Sequence, residues 1–189
     1  AAVTDKTRLM FVCNPNNPTG TVVKPADLGR FLDAIPDHVV VVLDEAYFEY
    51  TDRAIDGVEI GRTRPNVVVL RTFSKAYGLA GLRVGYAVGA PSIITSMKKV
   101  HTAFSVSSVA QSGAIASLAA SEELLARTVT VVSERSRLQN SLRGLGFHVP
   151  DSSANFVWIP LGTASSEFSA ASTEAGVVVR AYGNDGVRV

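Results

Sequence analysis

Very little in this chain is one-sided. Cysteine is nearly absent: Cys13 alone, inside the apolar run RLMFVC, excludes a disulfide scaffold and reads as a small core residue. Charge of one sign is missing too. Lys plus Arg is 18 and Asp plus Glu 17, with no basic block or stripe, which argues against nucleic acid or a membrane surface as partner. No apolar run approaches the ~18 residues of a membrane span, and the first residues carry no recognisable cleavable signal, so a cytoplasmic setting is expected. There is no G-x-G-x-x-G between a strand and a helix, which weighs against a Rossmann-type dinucleotide module. Internal repeats and low-complexity tracts are absent as well.

What is present is an alternation of short β-branched runs with helical patterns. RLMFVC (8–13), HVVVVLD (38–44), NVVVLRT (66–72) and RVGYAVG (83–89) read as strands, continuous enough for a sheet covered on both faces. Between the first two, KPADLGRFLDAIP has Pro25 near a helix start and Leu28, Phe31, Leu32 and Ile35 at helical spacing. Strand, helix, strand at this spacing is a βαβ unit, hence an α/β protein with a mostly parallel sheet. From residue 91 the texture changes. PSIITSMKKVHTAF and SVSSVAQSGAIASLAA read as helices. A long amphipathic helix follows, with Ser121 as its N-cap and a stop near Gly144 and Gly146. A strand around ANFVWIPL, a helix through SSEFSAASTEAG and a strand VVVR complete a smaller α+β domain, and GVRV ends inside another strand. The expected division is 1–118 for the larger domain and 119–189 for the smaller, incomplete one.

In open α/β sheets, ligands bind beyond strand ends. Polar clusters fall at such ends: NPNNPTG (14–20), DEAY (44–47), TFSK (72–75), and Arg83 opening the fourth strand. Each alone has a plain explanation. NPNNPTG serves as a turn, Asp44 as a structural partner, Lys75 as a solvated loop lysine, Arg83 as a surface charge. Their occurrence together, in this order, is much harder to assign to turns and solvation.

The combination of NPNNPTG, DEAY, TFSKAYGLAGLRVGY, SSANFVW and VVVRAYGNDGVRV resembles the fold-type I pyridoxal-phosphate aminotransferases, in the branch of histidinol-phosphate and aromatic amino acid aminotransferases. That resemblance runs over essentially the whole chain. It implies pyridoxal 5'-phosphate as cofactor and amino transfer from an L-amino acid to a 2-oxo acid such as 2-oxoglutarate. Lys75 would form the Schiff base with the cofactor aldehyde and afterwards move a proton at the substrate Cα. Asp44 would pair with the pyridine nitrogen, and Tyr47 and Asn17 would hydrogen-bond the phenolic oxygen. Thr72, Ser74 and Arg83 would hold the phosphate. Arg188 would grip the substrate carboxylate, with Arg180 lining the side-chain end of the site and Asn155 close by. The aromatic branch is favoured over histidinol phosphate, a decarboxylase or lyase on the same fold is the alternative class, and a homodimer is implied. The family's glycine-containing phosphate segment, ring-stacking aromatic and substrate-gating arm precede the point where this sequence begins, and the usual final helix is absent. The chain is therefore expected to be a piece of a longer polypeptide.

Overall fold

The computed structural model describes residues 3–51 and 56–189. Its first half runs β1 (Leu9–Cys13), α1 (Pro25–Asp33), β2 (Val40–Asp44), α2 (Gly57–Thr63), β3 (Val67–Thr72) and β4 (Gly85–Gly89). The strands form one sheet in the order β1-β2-β3-β4. β1, β2 and β3 are parallel, and β4 lies antiparallel to β3 with Thr72 opposite Gly85. The four expected strands and the expected α/β class are thus found.

Alternation along each strand decides what the sheet buries. Val41, Leu43, Val67 and Val69 point to one face and pack with Leu28, Leu32 and Ile35, joined by Met10 and Val12 of β1 and by Val58 and Ile60 of α2. Pro25 starts α1 where its missing N–H costs nothing, and Leu28 and Leu32 fall one turn apart on the buried side. Both helices feed the same core. Cover on two faces was the expectation from continuous apolar strands. At β1 it fails, because Leu9 and Phe11 on the other face stay 50% and 67% exposed.

The second half comprises α3 (Pro91–Lys99), α4 (Ser108–Ala119), α5 (Ser121–Gly144), β5 (Trp158–Ile159), α6 (Ser165–Glu174), β6 (Arg180–Tyr182) and β7 (Gly186–Arg188). Three details differ from the sequence reading. α3 ends at Lys99 instead of continuing to residue 104, since Val100 and Thr102 are poor helix formers and Phe104 takes a left-handed φ of 59°. Ser121 is not an N-cap. Ala120 both ends α4 and precedes α5, at φ −103° and ψ 21°, so no extended residue separates the helices for a side chain to cap. The expected stop holds: the Phe147 N–H bonds the Leu142 carbonyl across Gly146, whose φ of 89° suits the left-handed C-terminal motif.

The small sheet has the antiparallel order β5-β7-β6. Its strands are shorter than expected. Residues 152–156 fold on themselves, the Ser152 hydroxyl donating to the Phe156 carbonyl at 2.7 Å and accepting from the Ala154 N–H, so the strand through 154–161 shrinks to Trp158–Ile159. Likewise the VVVR strand moves on to Arg180–Tyr182, leaving Val178 85% exposed. Ile159, Val179 and Val187 form a core here with Leu142, Phe147 and Phe168 around it. α5 ties the halves together through Arg135, which donates to the carbonyls of Ala154 (2.7 Å) and Tyr50 (3.2 Å). Among the described residues no helix is long and apolar enough to cross a membrane.

Candidate active site

Pairing at the strand ends assembles the polar clusters. Cys13, Asp44 and Thr72 all end their strands on the sheet face opposite the α1 core, by the parity of the register. Because β4 is antiparallel, its first residue, Gly85, returns beside Thr72 at the end of β3. Arg83 does not open that strand as expected but lies two residues before it, in a left-handed turn that no strand pairing can extend through. Cys13 is half-buried and not in the core as expected. Burial pushes its thiol up, so it is a neutral neighbour of Asp44 and no nucleophile.

The loop after β1 is more than a turn. The Asn14 N–H bonds the Asp44 carbonyl, and the Asn14 Oδ1 accepts the Val23 N–H, each at 2.9 Å. Bonds from Asn16 N to the Thr21 carbonyl and from Gly20 N to the Asn16 carbonyl close the loop around Asn17. Gly20, at φ 73°, offers its carbonyl to the Ser153 N–H at 2.7 Å, and a Cβ there would fall 2.1 Å from the Ser152 Oγ. Gly20→Ala therefore meets both left-handed strain and overlap. It is expected to lower stability by roughly 2–4 kcal/mol, read as a shifted denaturant midpoint, and an unchanged midpoint would refute this docking.

Asn17 is held from the far end of the chain. Its Oδ1 accepts from the Arg188 Nη1 at 3.1 Å and from the Tyr182 hydroxyl at 3.4 Å. The Arg188 guanidinium lies 5.1 Å from the Phe156 ring centre and 5.7 Å from that of Tyr182. Phe156 meets Tyr47 edge to face at 5.2 Å, and the Lys75 Nζ lies 5.3 Å from the Tyr47 ring centre. Tyr47 is 3% exposed, and burial pushes its phenol up while Arg188 pulls against that and Asp44 adds to it. Its hydroxyl is thus a donor at neutral pH. The Asp44 Oδ1 accepts the Ala46 N–H at 3.1 Å. Asn17, Asp44, Tyr47, Lys75 and Arg188 are brought together.

A second group gathers at the β3 exit. The Thr72 Oγ1 accepts the Ser74 N–H at 3.1 Å and reaches the Val84 carbonyl at 3.5 Å, and the Phe73 N–H also bonds that carbonyl. Arg83 sits in the left-handed region at φ 53°, its Nη1 on the Ala80 carbonyl at 2.8 Å. Such a conformation in a non-glycine residue costs about 1–3 kcal/mol and collects at functional positions. α4 packs beneath, with Ala110 and Ala114 against Phe73 and Val84. Arg180 joins the first group through Tyr182, its guanidinium 5.4 Å from that ring. Asn155 enters neither set of contacts: it is exposed and lines a groove against α5 with Glu134 and Leu138.

Most arginines outside the site are engaged by carboxylates. Among the described residues, carboxylates pair with Arg30, Arg62, Arg64, Arg71, Arg127, Arg137 and Arg143. Arg83, Arg180, Arg188 and Lys75 are not in that set, nor is Asp44 among the paired acids. Lys6, Lys24, Lys98 and Lys99 have no carboxylate partner among the described residues either, so this leaves the site's cations available to a ligand without requiring one.

Two features escaped the sequence reading. Tyr182 could have been found from Y-G-N-D-G, a hairpin turn that fixes strands on either side. The ion pair of Glu45 and Arg71, with Nε and Nη2 at 2.9 and 2.8 Å from one carboxylate oxygen, had its signal in an arginine inside the apolar run VVVLRT.

Fold and site together define an aminotransferase-family protein. The chain matches the family of class I and II aminotransferases over residues 1–188, and it belongs to that family. It is 65% identical over 189 residues to an aromatic amino acid aminotransferase of Rhodococcus jostii, covering all of this chain and 53% of the relative. A protein of the same description from Nocardia farcinica is 66% identical over 194 residues, covering all of this chain and 54% of the relative. Among solved structures, histidinol-phosphate aminotransferase from Sinorhizobium meliloti, in complex with pyridoxal-5'-phosphate, superposes with a TM-score of 0.83 at 31% identity, over 96% of this chain and 52% of that one. The chain spans about half the length of the curated relatives it matches.

Proposed function

We propose that this protein is a pyridoxal 5'-phosphate-dependent aminotransferase that moves the amino group of an aromatic L-amino acid to a 2-oxo acid such as 2-oxoglutarate. The observation that carries this reading is the convergence of Lys75 and Arg188 on Tyr47 and Asn17, beside an Asp44 without a cation partner among the described residues. The donor set fits the cofactor group by group. Asp44 is a carboxylate for a pyridinium, Tyr47 and the Asn17 amide are neutral donors for a phenolic oxygen, and Lys75 is an amine to hold the aldehyde carbon. For the phosphate, Thr72, Ser74 and Arg83 would supply two hydroxyls and a guanidinium that has no carboxylate partner among the described residues.

When bound, the cofactor would supply an aldehyde that captures amino groups and a ring that accepts electron density from the substrate Cα. The chain's residues do the rest. Arg188 binds the substrate carboxylate with the guanidinium edge not engaged by Asn17. The Lys75 amine would act at the substrate Cα as base and then as acid, moving its proton. Tyr47 and Asn17 would donate hydrogen bonds to the cofactor's phenolic oxygen, which favour its anionic form. Residues 1–118 would form the cofactor-holding domain and 119–189 the smaller one, in a cytoplasmic homodimer, with Arg180 nearer the substrate's side chain.

The aromatic donor is preferred because the relatives at 65% and 66% identity carry that description, whereas histidinol-phosphate aminotransferase appears at 31%. A decarboxylase or lyase would use the same cofactor-holding residues. Incubating the complete protein with pyridoxal 5'-phosphate, phenylalanine and 2-oxoglutarate distinguishes them. Phenylpyruvate and glutamate should form in equal amounts, faster than any product from histidinol phosphate. Carbon dioxide release without a 2-oxo acid, or no transfer from any aromatic donor, would overturn the proposal.

A further inference from the structure

Tyr182 stands where the two ends of the site meet. It lies in β6, directly opposite Gly186 of β7 and next to the turn at Gly183, whose φ is 53°. Its ring meets Trp158 edge to face at 5.6 Å. Trp158 in turn occupies the place a side chain at Gly186 would take, for a Cβ there would fall 2.5 Å from the indole Cζ2. Backbone pairing, the indole and the bare glycine leave the Tyr182 ring little freedom. From this fixed place it makes three contacts: the hydroxyl to the Asn17 Oδ1 at 3.4 Å, and the ring with the guanidinium groups of Arg188 at 5.7 Å and Arg180 at 5.4 Å.

We propose that Tyr182 is a positioning residue for the amino-transfer reaction, its hydroxyl orienting the Asn17 amide and its ring holding the Arg188 guanidinium; this rests on the function proposed above. The chemistry of Asn17 makes the link directional. Arginine has only donors, so the amide must turn its oxygen toward Arg188, and the Tyr182 hydroxyl donates to the same oxygen. With the oxygen held twice, the Nδ2 donors point away and are available to the cofactor's phenolic oxygen. On the other side, Phe156 and Tyr182 both lie within cation–π range of the Arg188 guanidinium, while its Nη1 is spent on Asn17. One tyrosine thereby couples the residue that touches the cofactor to the residue that takes the substrate carboxylate.

The test uses the complete protein loaded with pyridoxal 5'-phosphate and two variants. Tyr182→Phe keeps the ring and loses the hydroxyl, so folding and KM for phenylalanine should stay within about twofold of wild type. The pH midpoint of the bound cofactor's visible absorbance should rise by about 0.4 unit, the equivalent of one weak hydrogen bond no longer supporting the anion. Tyr182→Leu also removes the ring, and should raise KM for phenylalanine about three- to tenfold with kcat changed less than about twofold. A midpoint that does not move in Tyr182→Phe, or equal losses in kcat and kcat/KM in Tyr182→Leu, overturns the positioning role while leaving the aminotransferase reading intact. An inactive, cofactor-loaded wild type would instead sink that reading and this one with it.

Discussion

Replacing Lys75 with alanine in the complete protein is expected to lower kcat/KM for phenylalanine by roughly 10⁴-fold or more, because in the proposed reaction one side chain would perform two tasks. On the proposed function it would hold the cofactor covalently, and it would carry the proton at the substrate Cα. The structure places its amine 5.3 Å from the Tyr47 ring centre, with no carboxylate paired to it among the described residues. Two measurements separate the tasks. Borohydride treatment followed by intact mass should attach the cofactor irreversibly to wild type and not to Lys75→Ala. A small primary amine added to the variant should recover part of the rate, since a free base can replace the proton carrier though not the tether. Full attachment in the variant would mean that another lysine holds the cofactor, and the assignment of Lys75 would fall.

How much of this was legible in the sequence depends on how far each contact reaches along the chain. The four strands of the large sheet are short, mostly apolar runs, valine-rich in β2 and β3, and that local composition locates them. Asp44, Thr72 and Lys75 follow from those strands directly, since each lies at or just beyond a strand end. Arg83 was legible by spacing, but the return of the chain beside Thr72 needed the antiparallel pairing of β4, which no local pattern announces. The small domain resisted more. Its strands are 2 or 3 residues long, too short for periodicity to show, and Ser152 turns the chain back where a strand was expected. Contacts of Asn17 with Tyr182 and Arg188 span 165 and 171 residues and depend on docking of the β6–β7 hairpin. Ser121 has the right chemistry for a cap and the wrong backbone, because the preceding helix ends at the residue before it.

The largest effect on stability should come from Arg71, which the function does not call upon directly. Its Nη2 reaches both the Glu45 Oε2 at 2.8 Å and the Asp56 Oδ1 at 2.7 Å, and its guanidinium lies 3.8 Å over the Phe48 ring. Glu45 is 3% exposed, and its other oxygen accepts the Gly57 N–H at 2.8 Å, where a side chain on Gly57 would overlap it. Removing one member of such a pair leaves a buried charge, so Arg71→Met should cost about 3–5 kcal/mol at neutral pH, whereas replacing Glu45 and Arg71 together by apolar residues should recover much of that. The pH dependence carries the diagnosis. Burial already pushes the Glu45 carboxyl up, and the Arg71 hydrogen bonds that pull it back down would be gone from the variant. A carboxyl raised in the folded state binds its proton more readily there than in the unfolded chain. The variant's deficit should therefore be full above the raised value and shrink as pH falls toward the ordinary carboxylate range. Denaturant midpoints of both proteins from pH 8 down to 4.5 would show the curves converging, and a deficit independent of pH would mean the loss is packing on Phe48 instead of charge. Because Glu45 adjoins Asp44 and Arg71 adjoins Thr72, the same pair sets the spacing of the two strand ends that would hold the ring nitrogen and the phosphate. Cofactor affinity in Arg71→Met should accordingly fall with stability, and recover least in the doubly apolar variant, where packing returns without the bonds that aligned the strands.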